Sequence, residues 1–208
     1  MMGVDDAFAL KFLGALIAIM NPLGGLPLFL ALTAGLGAQA QRGIALQVVL
    51  CIAAIGAVAA MAGTPILAFF GIGIHDLQVA GGLMVLKIAF DMLAGTPGDA
   101  PASPDGAAGG VAFYPLAFPM LMGPGAITTM IIFAGRAQHR GADWAACVVA
   151  FGAALLCVAV VLLLGARFGA LLSDTARVIM TRVMGLILAA IAVQMVVDGL
   201  RALLPGLG

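Results

Sequence analysis

Glutamate is absent from this chain, asparagine occurs only as Asn21, serine only as Ser103 and Ser173, and charged residues fill just 9% of 208 positions. So little charge, beside 64% hydrophobic residues and a mean hydropathy of +1.23, excludes an ordinary soluble domain and any disordered class. Nine basic and nine acidic side chains cancel. No cluster of Lys or Arg forms the stripe that nucleic acid demands, so nucleic acid is not expected as a partner. No Ser, Cys or His stands with a base and an acid at a common depth, and the chain is not expected to be an enzyme. Cys51, Cys147 and Cys157 lie inside apolar runs without metal-ligand spacing; they are expected to pack as small apolar residues, with no metal and no cofactor. One Trp and one Tyr beside 11 Phe leave little to line a large aromatic cavity for hydrophobic drugs. A basic leader is also lacking: Asp5 and Asp6 stand where a signal peptide carries Lys or Arg, so the first helix is expected to serve as its own insertion signal.

What is present is apolar sequence in six runs, 7–36, 43–70, 74–94, 111–135, 142–172 and 177–203. They are continuous rather than alternating, and each exceeds the roughly 10 residues of a barrel strand, so they predict an all-α membrane protein with six transmembrane helices. Residues 95–110, rich in Pro, Gly, Asp and Ala, have almost nothing to bury and predict a linker between a first three-helix repeat (1–94) and a second (111–208). The halves are alike. At an offset of 102 residues Asn21-Pro22 falls on Gly123-Pro124; at 103, Gly82-Leu83 falls on Gly185-Leu186, Ala89 on Ala192, Asp91 on Gln194 and Met92 on Met195. Three spans per half is odd, so the second half is expected to enter from the opposite side as an inverted repeat. Lys11, Arg136, Arg140 and Arg201 flank one side against Arg42, Arg167, Arg177 and Arg182 on the other, which leaves the positive-inside rule tied.

The first and fourth runs are interrupted, by Asn21-Pro22-Leu23-Gly24-Gly25-Leu26-Pro27 and by Gly123-Pro124-Gly125. Irregular backbone at membrane depth survives only where it is buried in protein or lines a polar cavity, and paired interruptions in two halves point to a transporter's binding site. Asn21 suits an N-cap and Pro22 the first helical position, so a second half-helix is expected to start here. At the second break Thr128 and Thr129 offer hydroxyls one turn on. A half-helix N-terminus attracts an anion and the preceding C-terminus a cation, so one break suits both ends of a zwitterion. The candidate substrate-binding residues are Asn21, Pro22, Gly24, Gly25, Gly123, Pro124, Gly125, Thr128, Thr129 and Gln194. Re-entrant hairpins turning at Pro22 and Pro124 are the architectural alternative.

Lys87 and Asp91, at i and i+4 in the third run, would each cost about 2.5 to 3.5 kcal/mol near the bilayer centre and are expected to pair. Asp91 is a candidate ion-coupling carboxylate whose charge state Lys87 sets, with H+ or Na+ as the candidate coupling ion; the alternative is a pair that snorkels at the helix end. Asp198 with Arg201 is expected as an interfacial pair. His75 and His139 are expected in solvated connections.

The stretches NPLGGLPLFLALT (21–33), VAGGLMVLKIAFDML (79–93), PLAFPMLMGPGAITTMI (115–131) and MGLILAAIAVQMVVDGL (184–200) resemble those of the MarC family of bacterial inner-membrane proteins. The resemblance covers most of the chain. It implies six spans, a multi-pass place in the inner membrane and, from some relatives, transport of small neutral amino acids. Asn21, Pro22, Gly24, Pro27, Asp91, Gly123, Pro124, Gly125, Thr128, Thr129, Gln194 and Asp198 match the family pattern. Gly25 stands where the family usually has Asn, and Lys87 where relatives are apolar. The expected function is a secondary transporter moving a small neutral amino acid or similar small polar solute by alternating access. Its expected partners are that solute, the lipid bilayer and, as an open option, a second copy in a homo-oligomer. The rival readings are a non-transporting scaffold or sensor, an exporter of small hydrophobic drugs, and a channel.

Overall fold

A computed structural model of the chain describes residues 6–94, 108–137, 141–169, 174–204 and 206. Most of the expected linker, 95–107 with Ser103, lies outside the described residues, as do His139, Arg140 and Ser173. Among the described residues there is no strand; the helices are α1 (Asp6–Met20), α2 (Pro22–Leu32), α3 (Ala38–Phe70), α4 (Ile74–Ala94), the single turn α5 (Ala108–Val111), α6 (Pro124–Ala137), α7 (Gly141–Gly169) and α8 (Asp174–Leu203), with an irregular coiled segment at Ala112–Leu121. Helix ends follow local chemistry. Gly71, at φ 65°, closes α3: its N–H bonds the Ala68 carbonyl and the Ile72 N–H bonds that of Leu67, the paired bonds of a glycine-terminated helix. Two residues later Gly73 N–H donates to Asp76 Oδ2 at 2.6 Å, which anchors the start of α4.

Five helical stretches are long and apolar enough to cross a membrane: Ala7–Leu32, Ala38–Phe70, Ile74–Ala94, Asp143–Arg167 and Thr181–Leu203. A bent pair, Ala112–Leu121 with Pro124–Ala137, makes a sixth where its two arms are one span rather than a re-entrant loop. These are the six runs of the sequence. Their outer faces carry large apolar side chains, Leu50, Met61, Phe69, Leu156 and Leu186 among them, at 65% exposure or more, which suits hydrocarbon rather than water. The inside mixes large side chains such as Phe12, Leu16, Phe29 and Leu162 with small residues such as Ala45, Ala89, Ala117, Ala154 and Ala192, which let backbones approach closely.

Each half packs largely through the other. α1 and α2 lie along α7, while the 112–121 segment and α6 lie along α3; α3 meets α7, and α4 meets α8 over nearly its whole length. The α4–α8 pair is antiparallel and held by glycine. A Cβ at Gly82 would stand 3.1 Å from the Ala192 carbonyl, one at Gly185 3.0 Å from that of Ala89, and one at Gly199 3.1 Å from that of His75. Phe12 stacks on Phe133 with ring centroids 4.7 Å apart, and Arg136 lies over the same ring, which joins α1 to α6.

Candidate functional site

At the first break one residue interrupts the helix. Asn21 sits in the left-handed region (φ 42°, ψ 66°), where Asn is tolerated better than other residues with a side chain. Its Oδ1 accepts from Gly24 N–H at 3.1 Å, so it caps α2, with Pro22 at the first helical position. The ladder otherwise passes through: Asn21 N–H bonds the Ile17 carbonyl and Gly25 N–H bonds the Asn21 carbonyl. α1 and α2 therefore continue as one apolar span rather than turning back as a hairpin. Pro22 has no N–H to offer the Ala18 carbonyl, and the Gly24 N–H is diverted from the backbone to Asn21. Carbonyls at the end of α1 are released.

The second break is larger. From Ala112 to Leu121 the coil contains Pro115 and Pro119 and non-helical backbone at Tyr114 (φ −118°) and Phe118 (φ −125°), and the chain then bends by 65° into α6. The sequence motif Gly123-Pro124-Gly125 marks only the end of this region. Gly123 is obligatory, since a Cβ there would collide with the Pro119 carbonyl. Because α6 begins at Pro124, the N–H groups of its first turn at Gly125 and Ala126 have no preceding helical carbonyl to reach.

Both breaks border one cavity of about 330 Å³. Its walls come from Ala18 to Asn21 at the end of α1, from Pro119, Met120, Gly123, Gly125 and Ala126 at the second break, and from faces of α4 and α8. Among the residues expected to bind solute, Asn21, Gly123, Gly125 and Gln194 line it. Pro22, Gly24, Gly25, Pro124, Thr128 and Thr129 are not among its lining residues. Pro22, Gly24, Gly25 and Pro124 are buried. The Pro124 ring packs on Gly81 of α4, and Gly25 faces Leu121 across the two breaks. Thr129 Oγ1 donates to the Gly125 carbonyl of its own helix at 2.9 Å, and Thr128 Oγ1 is buried with no hydrogen-bond partner among the described residues.

Lys87 and Asp91 form the expected ion pair, at 2.9 Å, with side chains 68% and 37% exposed. They lie outside the cavity lining. Asp198, by contrast, lines the cavity, and among the described residues neither Arg201 nor another cation pairs with it. Gln78 of α4 also lines it. Nothing in the sequence around Gln78 marks it; only the antiparallel α4–α8 contact, with Gly199 against His75 and Val79, carries it to the same end as Asp198.

No solved structure matches this chain. A family model described as "MarC family integral membrane protein" matches residues 7–204. UPF0056 membrane protein YhcE of Escherichia coli is 31% identical over 95% of this chain and 94% of its own length. UPF0056 membrane protein MJ1677 of Methanocaldococcus jannaschii is 34% identical over 95% of this chain and 97% of its own. UPF0056 membrane protein YvbG of Bacillus subtilis is 31% identical over 92% and 93%. With its apolar spans this places the chain in a bacterial membrane as a multi-pass protein. A family match that runs from the first span to the last, over residues 7–204, together with relatives 31% to 34% identical along nearly their whole length, makes the chain a member of the MarC family of integral membrane proteins.

Proposed function

We propose that the chain is a secondary transporter of a small neutral amino acid or a similarly compact polar solute, working by alternating access around the cavity between the breaks. The observation that carries this reading is the meeting of both helix interruptions in one cavity of about 330 Å³. Ligand sites run from about 300 to 1,000 Å³, so this one suits a solute at the small end. Freed carbonyls at the end of α1 supply negative partial charge and the first amides of α6 positive partial charge, a pairing that matches a zwitterion.

Support for two inverted three-helix repeats, 1–94 and 111–208, comes from the packing. The main contacts between the halves have counterparts: α1 and α2 on α7 mirror the 112–121 segment and α6 on α3, and α2 on α8 mirrors α6 on α4, whereas α6 on α7 and the 112–121 segment on α4 are not matched. At the α4–α8 contact Gly82 faces Ala192 while Gly185 faces Ala89, and these are the residues that coincide at an offset of 103. An antiparallel pair whose equivalent residues exchange contacts is what a two-fold axis in the membrane plane produces.

Among the described residues no aromatic lines the cavity, which argues against an exporter of hydrophobic drugs. The test is uptake into liposomes carrying the purified protein, run with and without Na+ and proton gradients. Saturable, gradient-driven accumulation of at least one of glycine, alanine or serine is expected. Failure to move any of the three would end the substrate assignment.

A further inference from the structure

We infer that Asp198, backed by Gln78 and Gln194, is the cation-holding residue of the cavity, and that its ligand is a monovalent cation, either the ammonium group of the solute or the coupling ion. This rests on the transport reading for its purpose but not for its geometry. Among the described residues that line the cavity, Asp198 is the single ionisable side chain. Beside the amides of Asn21, Gln78 and Gln194, the walls are largely apolar, with Ala18, Val85, Ala126, Leu188 and Ile191 among them. Among the described residues no cation pairs with the Asp198 carboxylate: the salt bridge present, between Lys87 and Asp91, lies elsewhere, and Arg201, three residues further along α8, does not close on Asp198.

Two amides complete the arrangement. Gln194 precedes Asp198 by four residues and so shares its helix face, and Gln78 reaches the same end of the cavity from α4. An ammonium group has three donors and no acceptor, and one carboxylate with two amide oxygens supplies four accepting oxygens, enough for all three donors. Na+ seeks the same oxygen set. Gln194 and Asp198 are exposed although they line the cavity. Val85 and Leu188 mark the opposite end, roughly 15 Å along α8 at 1.5 Å per residue. The amides of Gly125 and Ala126 belong to the second break, separate from the carboxylate on α8. For a zwitterion, Asp198 would then add a full negative charge to the partial charge of the α1 carbonyls that face its ammonium, while the first amides of α6 face its carboxylate.

The experiment measures ligand-dependent thermal unfolding of the full chain in detergent, alongside uptake in proteoliposomes, for wild type, Asp198→Asn, Asp198→Glu and Asp91→Asn. The probes are glycine, acetate, which lacks the ammonium, methylamine, which lacks the carboxylate, and NaCl against KCl between pH 5 and 8. If the ammonium is the ligand, glycine and methylamine stabilise wild type and acetate does not; Asp198→Asn raises the half-saturating glycine concentration at least tenfold, and Asp198→Glu recovers part of it. If the coupling ion is the ligand, Asp198→Asn keeps glycine binding and loses the Na+ or pH dependence. Either pattern supports the inference. It is overturned if Asp198→Asn stays within twofold of wild type in every dependence, if the loss appears only in Asp91→Asn, or if no probe and no pH change shifts wild type. Should Asp198-dependent cation binding persist while wild type transports nothing, the transport reading falls and this site stands; should Asp198→Asn transport as wild type does, the reverse holds.

Discussion

Asn21 performs two tasks that few residues combine. Its backbone occupies the left-handed region, where most side chains are strained by about 1 to 2 kcal/mol, and its side chain caps α2 through Gly24. Asn21→Ala loses both and is expected to destabilise the protein by about 2 kcal/mol, whereas Asn21→Gly relieves the backbone and costs only a few tenths. Thermal unfolding in detergent separates the two, with the larger fall in midpoint for Ala. Gly24 belongs to the same device, since a Cβ there would meet the Asn21 amide. The Asn that the resemblance implies at position 25 would stand against Leu121, where a Cβ already comes within 3.0 Å. Gly25 therefore serves close approach of the two breaks here, and no polar ligand is missing from the cavity, which position 25 does not line.

Among the elements, the α4–α8 pair depends most on the absence of side chains. Gly82→Val and Gly185→Val each push a branched side chain against a carbonyl about 3 Å away, and such overpacking costs about 1 to 3 kcal/mol. Each is expected to lower the unfolding midpoint. Gly43→Ala on α3 is the contrasting substitution: nothing lies within 4 Å of its Cβ, so relief of glycine's helix penalty is expected to raise stability by up to about 1 kcal/mol. The two broken spans differ in degree. In the first, a single left-handed residue and a self-supplied cap disturb the ladder little; in the second, Pro115 and Pro119 remove donors four residues apart and the chain bends by 65°. That second interruption was only partly legible, because Gly123-Pro124-Gly125 draws the eye while the two upstream prolines sit inside an apolar run.

For the whole molecule, alternating access requires that cavity exposure change with ligand. With Cys51 and Cys157 replaced by Ala, Met195→Cys places a thiol in the cavity lining. Its modification by a membrane-impermeant thiol reagent is expected to slow several-fold under saturating transported solute and to return to the starting rate when the solute is removed. A rate indifferent to every transported solute would favour a static pore or scaffold. Crossed packing, with α1 and α2 on α7 and α6 on α3, means that neither half rocks as an isolated body. Movement would slide each broken span with its partner from the other half.

Composition alone determined that this chain is a bundle of membrane helices, because 64% hydrophobic residues in six runs admit no other solvent. Local stereochemistry determined where the spans are interrupted and that Asn21 caps a half-helix, since proline and glycine act on their immediate neighbours. Which polar groups share the cavity was decided only by tertiary packing. Helices apolar on every side carry no stripe from which an inward face can be read. Hence Gln78 and Asp198, 120 residues apart in sequence, meet at one end of the cavity while Lys87, Asp91 and Thr129 turn elsewhere. Glycines 82, 185 and 199 set the rotation and depth at which α4 meets α8, and that contact chooses the side chains a solute would touch.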